Sequence, residues 1–352
     1  MRYINSIHIN GFRGFKDFEL SDLKDINILV GENNTGKTSL LEAIHIMEYP
    51  GEIGHYVNVC RQREGKGKTS HYNIFENSLS KDNSKVLKEV EISANIENFK
   101  KSSYIKVENI DIIKSSSKSS IVKAFKGVIE YYSNRNLTSE KKLYIDEETD
   151  SLSINKAESF SPVKITRVMP FDHIDKEIVN IVIKAGKKQD LIGALKIFDK
   201  EIIGIENIKE GNEIKTYIDH KTTGLLPISA YGDGLKKVVY LSSVIVEAMD
   251  GILLIDEIET AIHYSALREV FKWMIEAANQ YKVQIFATTH SSEALDALLE
   301  CSMELKGDKY LEDSVNVITL KKGDDYYNTK VRLLDGHKAY KFREDFNMEL
   351  RG

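Results

Sequence analysis

The sequence predicts an α/β protein in which a mixed or parallel sheet is covered by helices and carries a β-rich inserted lobe. Three observations predict this. Near the N-terminus a compact apolar strand runs into a glycine-bounded loop and then a helix. In the second half, short apolar runs alternate with helically spaced ones. Between the two, residues 51–159 loosen into Lys- and Ser-rich stretches mixed with strand-like pieces.

Taken in order, Tyr3, Asn5, Ile7 and Ile9 alternate with Ile4, Ser6 and His8, and Gly11 and Gly14 bracket a turn before a short strand at 18–20, which reads as an edge hairpin. The apolar strand 26–30 leads into the loop. Thr38, Leu40, Leu41, Ile44 and Met47 then mark a helix ended by Pro50 and Gly51. In the insertion, 90–96, 104–107 and 128–132 are strand-like, while 114–120 is Lys- and Ser-rich. No heptad is sustained, which excludes a long coiled-coil arm. Helical spacing returns over 172–199 through Ile174, Ile178, Ile181, Val182, Ala185, Leu191, Leu195 and Phe198. A hairpin over 202–208 and 214–218 turns near Gly211. The order is then helix 235–249, strand 252–255, helix 265–279, strand 283–287 and helix 293–304, the alternation of a parallel sheet. Two strands at 315–320 and 326–333 precede a polar C-terminal segment. The expected organisation is a discontinuous head, 1–50 and 160–352, with 51–159 inserted.

Composition narrows the function classes. The charged (29%) and hydrophobic (41%) fractions suit a soluble globular chain, and a net charge of −5 supplies no global attraction to nucleic acid or membrane. Cys60 and Cys301 stand far apart and outside metal-ligand spacing, so neither disulfides nor structural zinc is expected, and a reducing cytoplasm is. The N-terminus lacks a signal-peptide apolar run. No stretch reaches the roughly 18 apolar residues of a membrane span, so no membrane partner is expected.

The chemistry begins at 31–38, GENNTGKT, which satisfies the Gly-x4-Gly-Lys-Thr/Ser phosphate-loop pattern. Backbone N–H groups and the positive helix end there can wrap an anionic phosphate, and Gly31 and Gly36 permit the close approach. Asn33, Asn34, Thr35, Gly36, Lys37, Thr38 and Ser39 are the expected nucleotide contacts. Lys37 is placed on the β- and γ-phosphates and Thr38 on Mg²⁺. The second site is the acid pair ending strand 252–257. Asp256 suits Mg²⁺ holding, and Glu257 suits polarising the attacking water as general base. Together these motifs define a nucleotide hydrolase using ATP and Mg²⁺.

Three further strings sort among phosphate-loop branches. ISAYGDG at 228–234 puts Ser229, Gly232 and Gly234 at a second helix N-terminus, an anion site best used across a dimer. The stretch 258–263 follows Glu257, and FATTHSS at 286–292 ends a strand in His290. With these, the chain resembles the ABC-type ATPases of the OLD, RecF and SMC group, most of all their small bacterial members without a long coiled coil. The resemblance covers residues 1–50 and about 160–305. It implies that INGFRGF at 9–15 places Arg13 near the nucleotide, and that 229–234 is the signature segment. It further implies that 252–257 is the Walker B strand, that 259–263 is the D-loop, and that His290 is the switch histidine contacting the γ-phosphate or water. The Q-loop falls on Gln62, and the signature departs from the Ser-Gly-Gly-Gln form.

Many OLD-type relatives carry a fused Toprim nuclease. Here Asp324 and Asp325 are adjacent in a turn, not Asp-x-Asp on a strand end, so no nuclease site is expected in this chain. The expected partners are a second head, forming a homodimer or higher oligomer, and a separate effector, nuclease or toxin, in phage defence. The alternative is a RecF-like DNA-binding repair ATPase. That reading draws on basic runs at 61–68 (RQREGKGK) and 184–188 (KAGKK) and predicts steep salt dependence. A transporter subunit is disfavoured by the signature form and the N-terminal strand.

Overall fold

The computed structural model describes residues 2–350, apart from 65–68, 83–84, 87, 115–119, 150–151, 153–162, 171, 173–175, 212, 261, 324–328 and 347–349. The expected positions Ile174, Lys66, Lys68, Asp324, Asp325 and much of 114–120 lie outside the described residues.

The central sheet runs, edge to edge, through Ile165–Val168, Ile252–Ile255, Gln284–Thr288, Ile26–Val30, Val315–Lys322 and Thr329–Asp335. Its first five strands are parallel, and only the last pair is antiparallel. The sheet is therefore mixed, as the alternation predicts. Ile26, Ile28, Val30, Leu253 and Ile255 face a core built with helices Asp233–Glu247, Tyr264–Gln280 and Ser292–Lys306. Leu29, Ile252 and Leu254 face a second core with helix Lys37–Ile46 and the antiparallel sheet. Burial on both faces explains why these strands read as unbroken apolar runs.

The antiparallel sheet orders Phe18–Leu20, Ile4–Asn10, Glu89–Ile96, Phe99–Lys114, Ser120–Ser133 and Asn136–Asp146. The N-terminal hairpin is thus not wholly an edge: Ile4–Asn10 pairs on its other side with Glu89–Ile96. The polar alternation at Ser6 and His8 signals one solvated face, and register with a distant strand is invisible to local pattern. Gln284 joins the two sheets. Its Oε1 accepts from the backbone N–H of Tyr3 (2.9 Å) and Ile4 (2.8 Å), and its Nε2 donates to the carbonyls of Ile4 and Lys24.

Two helices inside the insertion, Ile53–Arg61 and His71–Ser78, were not expected from the pattern. The first is rich in β-branched and aromatic residues that favour strands locally. Its helix is secured by burying Tyr56, Val57, Val59 and Cys60, so packing outweighs propensity. Likewise the polar C-terminal segment folds as helix Gly336–Phe346. Asp335 Oδ1 accepts from Lys338 N–H at its start, and Arg343 is paired to Asp296 at 2.6 Å. The hairpin near Gly211 forms as expected between Ile202–Glu210 and Glu213–His220, with Gly211 at φ 61°. No helix among the described residues is long and apolar enough to cross a membrane.

Candidate nucleotide site

The phosphate loop leaves the fully buried strand Ile26–Val30 and opens helix Lys37–Ile46. Gly31 has φ 144°, and a Cβ there would lie 2.3 Å from the carbonyl oxygen of Leu320. Gly36 has φ 104°, with a Cβ position 3.0 Å from Phe15. Both glycines are therefore required by backbone shape. Gly36 caps the helix with no side-chain hydrogen bond, so its first N–H groups are left for a ligand. Lys37 Nζ donates to the carbonyls of Gly31 (2.8 Å) and Glu32 (2.7 Å), lacing the loop around its own ammonium. Burial depresses its pKa to about 8, against the opposing charges of Asp256, Glu257 and Glu259.

The acid pair lies directly opposite. Thr38 Oγ1 donates to Asp256 Oδ1 at 3.3 Å, and Thr288 Oγ1 donates to the same oxygen at 2.7 Å. Thr288 Oγ1 also accepts from the backbone N–H of Glu257 at 2.8 Å. Glu257 itself adopts φ 52°, a left-handed conformation rare outside glycine, and its Oε2 accepts from Thr260 Oγ1. Backbone strain of this kind concentrates where a side chain must be aimed. Glu259 Oε1 accepts from the backbone N–H of His290 at 2.8 Å, joining the stretch after the acid pair to the end of the neighbouring strand.

An open cleft of about 370 Å³ beside the loop is lined by Arg13, Asn34, Ser39, Arg63, Lys81 and Lys322 among others. Its cations give it a field suited to an anion. Arg13 pairs through Nε with the buried Glu42 at 3.2 Å, and Glu42 carries it above its ordinary pKa despite the opposing effect of burial. Arg63 reaches the same carboxylate at 3.7 Å and Ser39 Oγ at 3.5 Å.

The structure thus brings together Lys37, Thr38, Ser39, Asp256 and Glu257, with Arg13, Asn34, Thr35 and Gly36 around the adjoining cleft; Asn33 is exposed on the loop. Ser229, Gly232 and Gly234 are not part of this cluster. Among the described residues no hydrogen bond or ion pair links 228–234 to 31–39, and Ser229 and Gly232 are exposed. The helix, which includes Gly234, begins at Asp233, two residues before the expected start, because Gly232 with φ −66° and ψ 160° serves as its N-cap.

Two residues escape sequence reasoning. Arg167, on the strand beside Ile252–Ile255, has a side chain 1% exposed. Its guanidinium lies 3.8 Å from Asp256 Oδ2 and donates to Gln62 Oε1 at 3.3 Å. Its Nε has no hydrogen-bond partner, and burial lowers its pKa. A charged residue inside a four-residue strand, Ile-Thr-Arg-Val, was the available signal. Lys237, one turn into helix Asp233–Glu247, is buried with no hydrogen bond at Nζ, which sits 5.9 Å over the Tyr240 ring, and its pKa is lowered by desolvation while Asp172 and Glu257 oppose. Cys60 and Cys301 are free and buried, and desolvation raises their thiols to about 12 and about 11. Buried and raised in pKa, neither presents a reactive thiolate.

A strand–glycine loop–helix facing a strand-end Asp-Glu pair, on a mixed sheet joined to an antiparallel one, is the head of an ABC-type phosphate-loop ATPase of the RecF/SMC-like group. Residues 26–296 match the family described as "AAA domain, putative AbiEii toxin, Type IV TA system", and the chain belongs to that family. Residues 2–49 also match an AAA ATPase domain. An "ATP/GTP phosphatase" of Helicobacter pylori is 25% identical over 92% of this chain and 94% of its own. RecF of Rickettsia conorii is 38% identical, over 18% of each chain. A solved Smc head bound to the C-winged helix domain of ScpA superposes with TM-score 0.57 at 13% identity, over 97% of this chain and 100% of that one. The protein is an enzyme that hydrolyses ATP.

Proposed function

We propose that two copies of this head close around two ATP molecules and that the closed state controls a separate effector, a nuclease or toxin, in bacterial phage defence. One observation carries the dimer. Each chain holds a complete phosphate loop and acid pair, whereas its second anion-binding helix end, with Ser229 and Gly232 exposed and Gly234 half-buried, is unlinked to them among the described residues. Tyr264, 74% exposed beside the D-loop residues Glu259 and His263, offers an aromatic anchor on the surface. The family description, with its toxin system, favours defence.

In this reading Lys37 exchanges the carbonyls of Gly31 and Glu32 for the β- and γ-phosphate oxygens, and Arg13, Asn34, Thr35 and Ser39 line the approach. Thr38 Oγ1 and Asp256 are oxygen donors 3.3 Å apart, a pair suited to Mg²⁺, with Arg167 balancing the carboxylate from the far side. Mg²⁺ supplies charge neutralisation on the transferring phosphoryl group. Glu257, aimed by its left-handed backbone and by Thr260, takes the proton of the attacking water. His290, held through Glu259, contacts the γ-phosphate or the water. The partner's second anion-site helix caps the γ-phosphate. We retain the discontinuous head (1–50, 160–352) with 51–159 inserted as the domain division, strand Ile4–Asn10 being shared with the inserted sheet. Action in the cytoplasm suits the buried free thiols.

The test is sedimentation of Glu257→Gln protein: ATP should drive it to dimer and ADP should not. A species that remains monomeric with saturating ATP overturns the reading. The RecF-like alternative draws on partial matches, but several of the cations expected to bind DNA are engaged within the chain. Lys188 pairs with Glu206, Lys187 stacks over Tyr281 at 5.3 Å, and Arg63 pairs with Glu42. Salt-titrated DNA binding with and without ATP separates the two: ATP-dependent affinity falling steeply with salt would favour the alternative.

A further inference from the structure

At the far end of the phosphate-loop helix lies a cluster that the nucleotide chemistry does not use. His45 occupies the last turn of helix Lys37–Ile46, Glu48 follows in the turn, and His55 comes from helix Ile53–Arg61. One ligating atom from each lies within 4.8 Å of the others. We propose that His45, Glu48 and His55 form a binding site for a divalent ion of the zinc class, which clamps the end of the phosphate-loop helix to the helix that follows it.

The donor set is right for such an ion. Two imidazoles and one carboxylate, with a fourth position for water, is a recurrent zinc arrangement, whereas Mg²⁺ and Ca²⁺ call for oxygen donors throughout. The geometry is nearly assembled without the ion. His45 Nε2 lies 3.7 Å from Glu48 Oε2, close to the separation of about 3.3 Å between ligand atoms bound tetrahedrally at about 2.0 Å. The two imidazole rings stand edge to face with centroids 5.3 Å apart.

The supporting groups are also present. His55 Nε2 is 2.9 Å from the carbonyl oxygen of His45. A carbonyl only accepts, so Nε2 carries the proton and the lone pair falls on Nδ1; an outer hydrogen bond from the second ring nitrogen to a backbone carbonyl is the usual companion of a metal-bound histidine. Glu48 Oε1 accepts from the backbone N–H of Ile165 at 3.4 Å, which leaves Oε2 turned to His45. His45 is 8% exposed, so an ion held at its Nε2 would be largely shielded from solvent.

The placement suggests what the ion does. Helix Lys37–Ile46 begins at the phosphate loop, so the cluster stands about 15 Å from it, too far to join the chemistry. Helix Ile53–Arg61, which supplies His55, ends beside Gln62 and Arg63, and these reach Arg167 and Ser39 at the nucleotide side. A metal joining the two helices would fix the angle at which those residues are delivered.

Metal content and Co²⁺ spectroscopy test the site directly. Chelator-stripped wild-type protein, titrated with Co²⁺ in the presence of excess Mg²⁺, should take up one equivalent with visible d–d bands, and Zn²⁺ should displace it. His55→Ala should weaken Zn²⁺ binding by more than about 100-fold. Glu48→Gln, which adds no cavity and no charge, should weaken it by at least about tenfold and abolish the rise in Tm that Zn²⁺ gives the wild type. Asp256→Asn should bind Zn²⁺ as the wild type does, so this outcome is independent of the ATPase reading. Absence of d–d bands, or Zn²⁺ affinity unchanged in both His55→Ala and Glu48→Gln, overturns the proposal.

Discussion

The molecule holds two glycine-capped helix N-termini that we read as anion sites, and they differ in nearly everything except their cap. Helices Lys37–Ile46 and Asp233–Glu247 both start after a glycine with no side-chain cap. At the first, the glycine is left-handed and crowded by Phe15, and the cation, hydroxyl and carboxylate needed for phosphate chemistry are already gathered around it. At the second, the glycine is extended, a Cβ would meet open space, and the neighbouring Ser229 faces solvent. The same local device is finished within the chain in one place and left open in the other. An exposed, uncapped helix end has unpaired N–H groups, so it is poised for a ligand that arrives from outside.

The largest expected effects come from breaking the finished site. Lys37→Ala should reduce ATP turnover to background in a phosphate-release assay. Glu257→Gln should lower it by about 10²–10⁴-fold while ATP still binds. Normal turnover in either variant would dismantle the assignment of that residue.

A mixing experiment sharpens the comparison itself. Gly232→Asp places a negative charge at the open helix end, where it should repel the γ-phosphate. Alone, Lys37→Ala and Gly232→Asp should both be inactive. If each working site combines the finished half of one subunit with the open half of another, mixed heterodimers regain one intact site, and turnover should return to about a quarter of wild type. A mixture as inactive as its components would mean that the two helix ends do not meet.

The pH dependence of binding probes Lys37 alone. Its ammonium is held at about 8 by burial in the empty loop. Bound phosphate favours the charged form, so the pKa in the complex is higher. Below pH 8 both states are protonated and ATP affinity should be flat. Above pH 8 binding must take up a proton, and affinity should fall by up to about tenfold per pH unit. Calorimetry in buffers of different ionisation enthalpy at pH 9 should show that uptake, and an affinity independent of pH from 7 to 9 would contradict the shift.

The smallest effects separate the two caps. Gly36→Ser forces a side chain into a left-handed conformation 3.0 Å from Phe15 and should cost about 1–3 kcal/mol, read as a lower midpoint in urea. Gly232→Ser has an ordinary φ of −66° and free space, and should change stability by only a few tenths of a kcal/mol, toward stabilisation. Equal losses at both would show that the second end is as constrained as the first.

Much of this was legible in the sequence, and the boundary has a physical origin. The glycine spacing of 31–38, the apolar strand ending in Asp256 and Glu257, and the alternation of the second half are local patterns. Each is dictated by backbone sterics or by burial on both faces, and so by residue types near in the chain. Arg167 beside Asp256 and Gln284 bonding the N-terminal strand are pairings between residues far apart in the chain, across as many as 281 positions. The helix Ile53–Arg61 was hidden for a related reason, since its residues favour a strand until a core is available to bury them. The sequence by itself determined which residues are proposed to handle phosphate, because that chemistry needs particular side chains at fixed spacing. Only the tertiary structure decided that one glycine-capped helix end is enclosed and the other exposed, because enclosure depends on which distant strands and helices pack beside each.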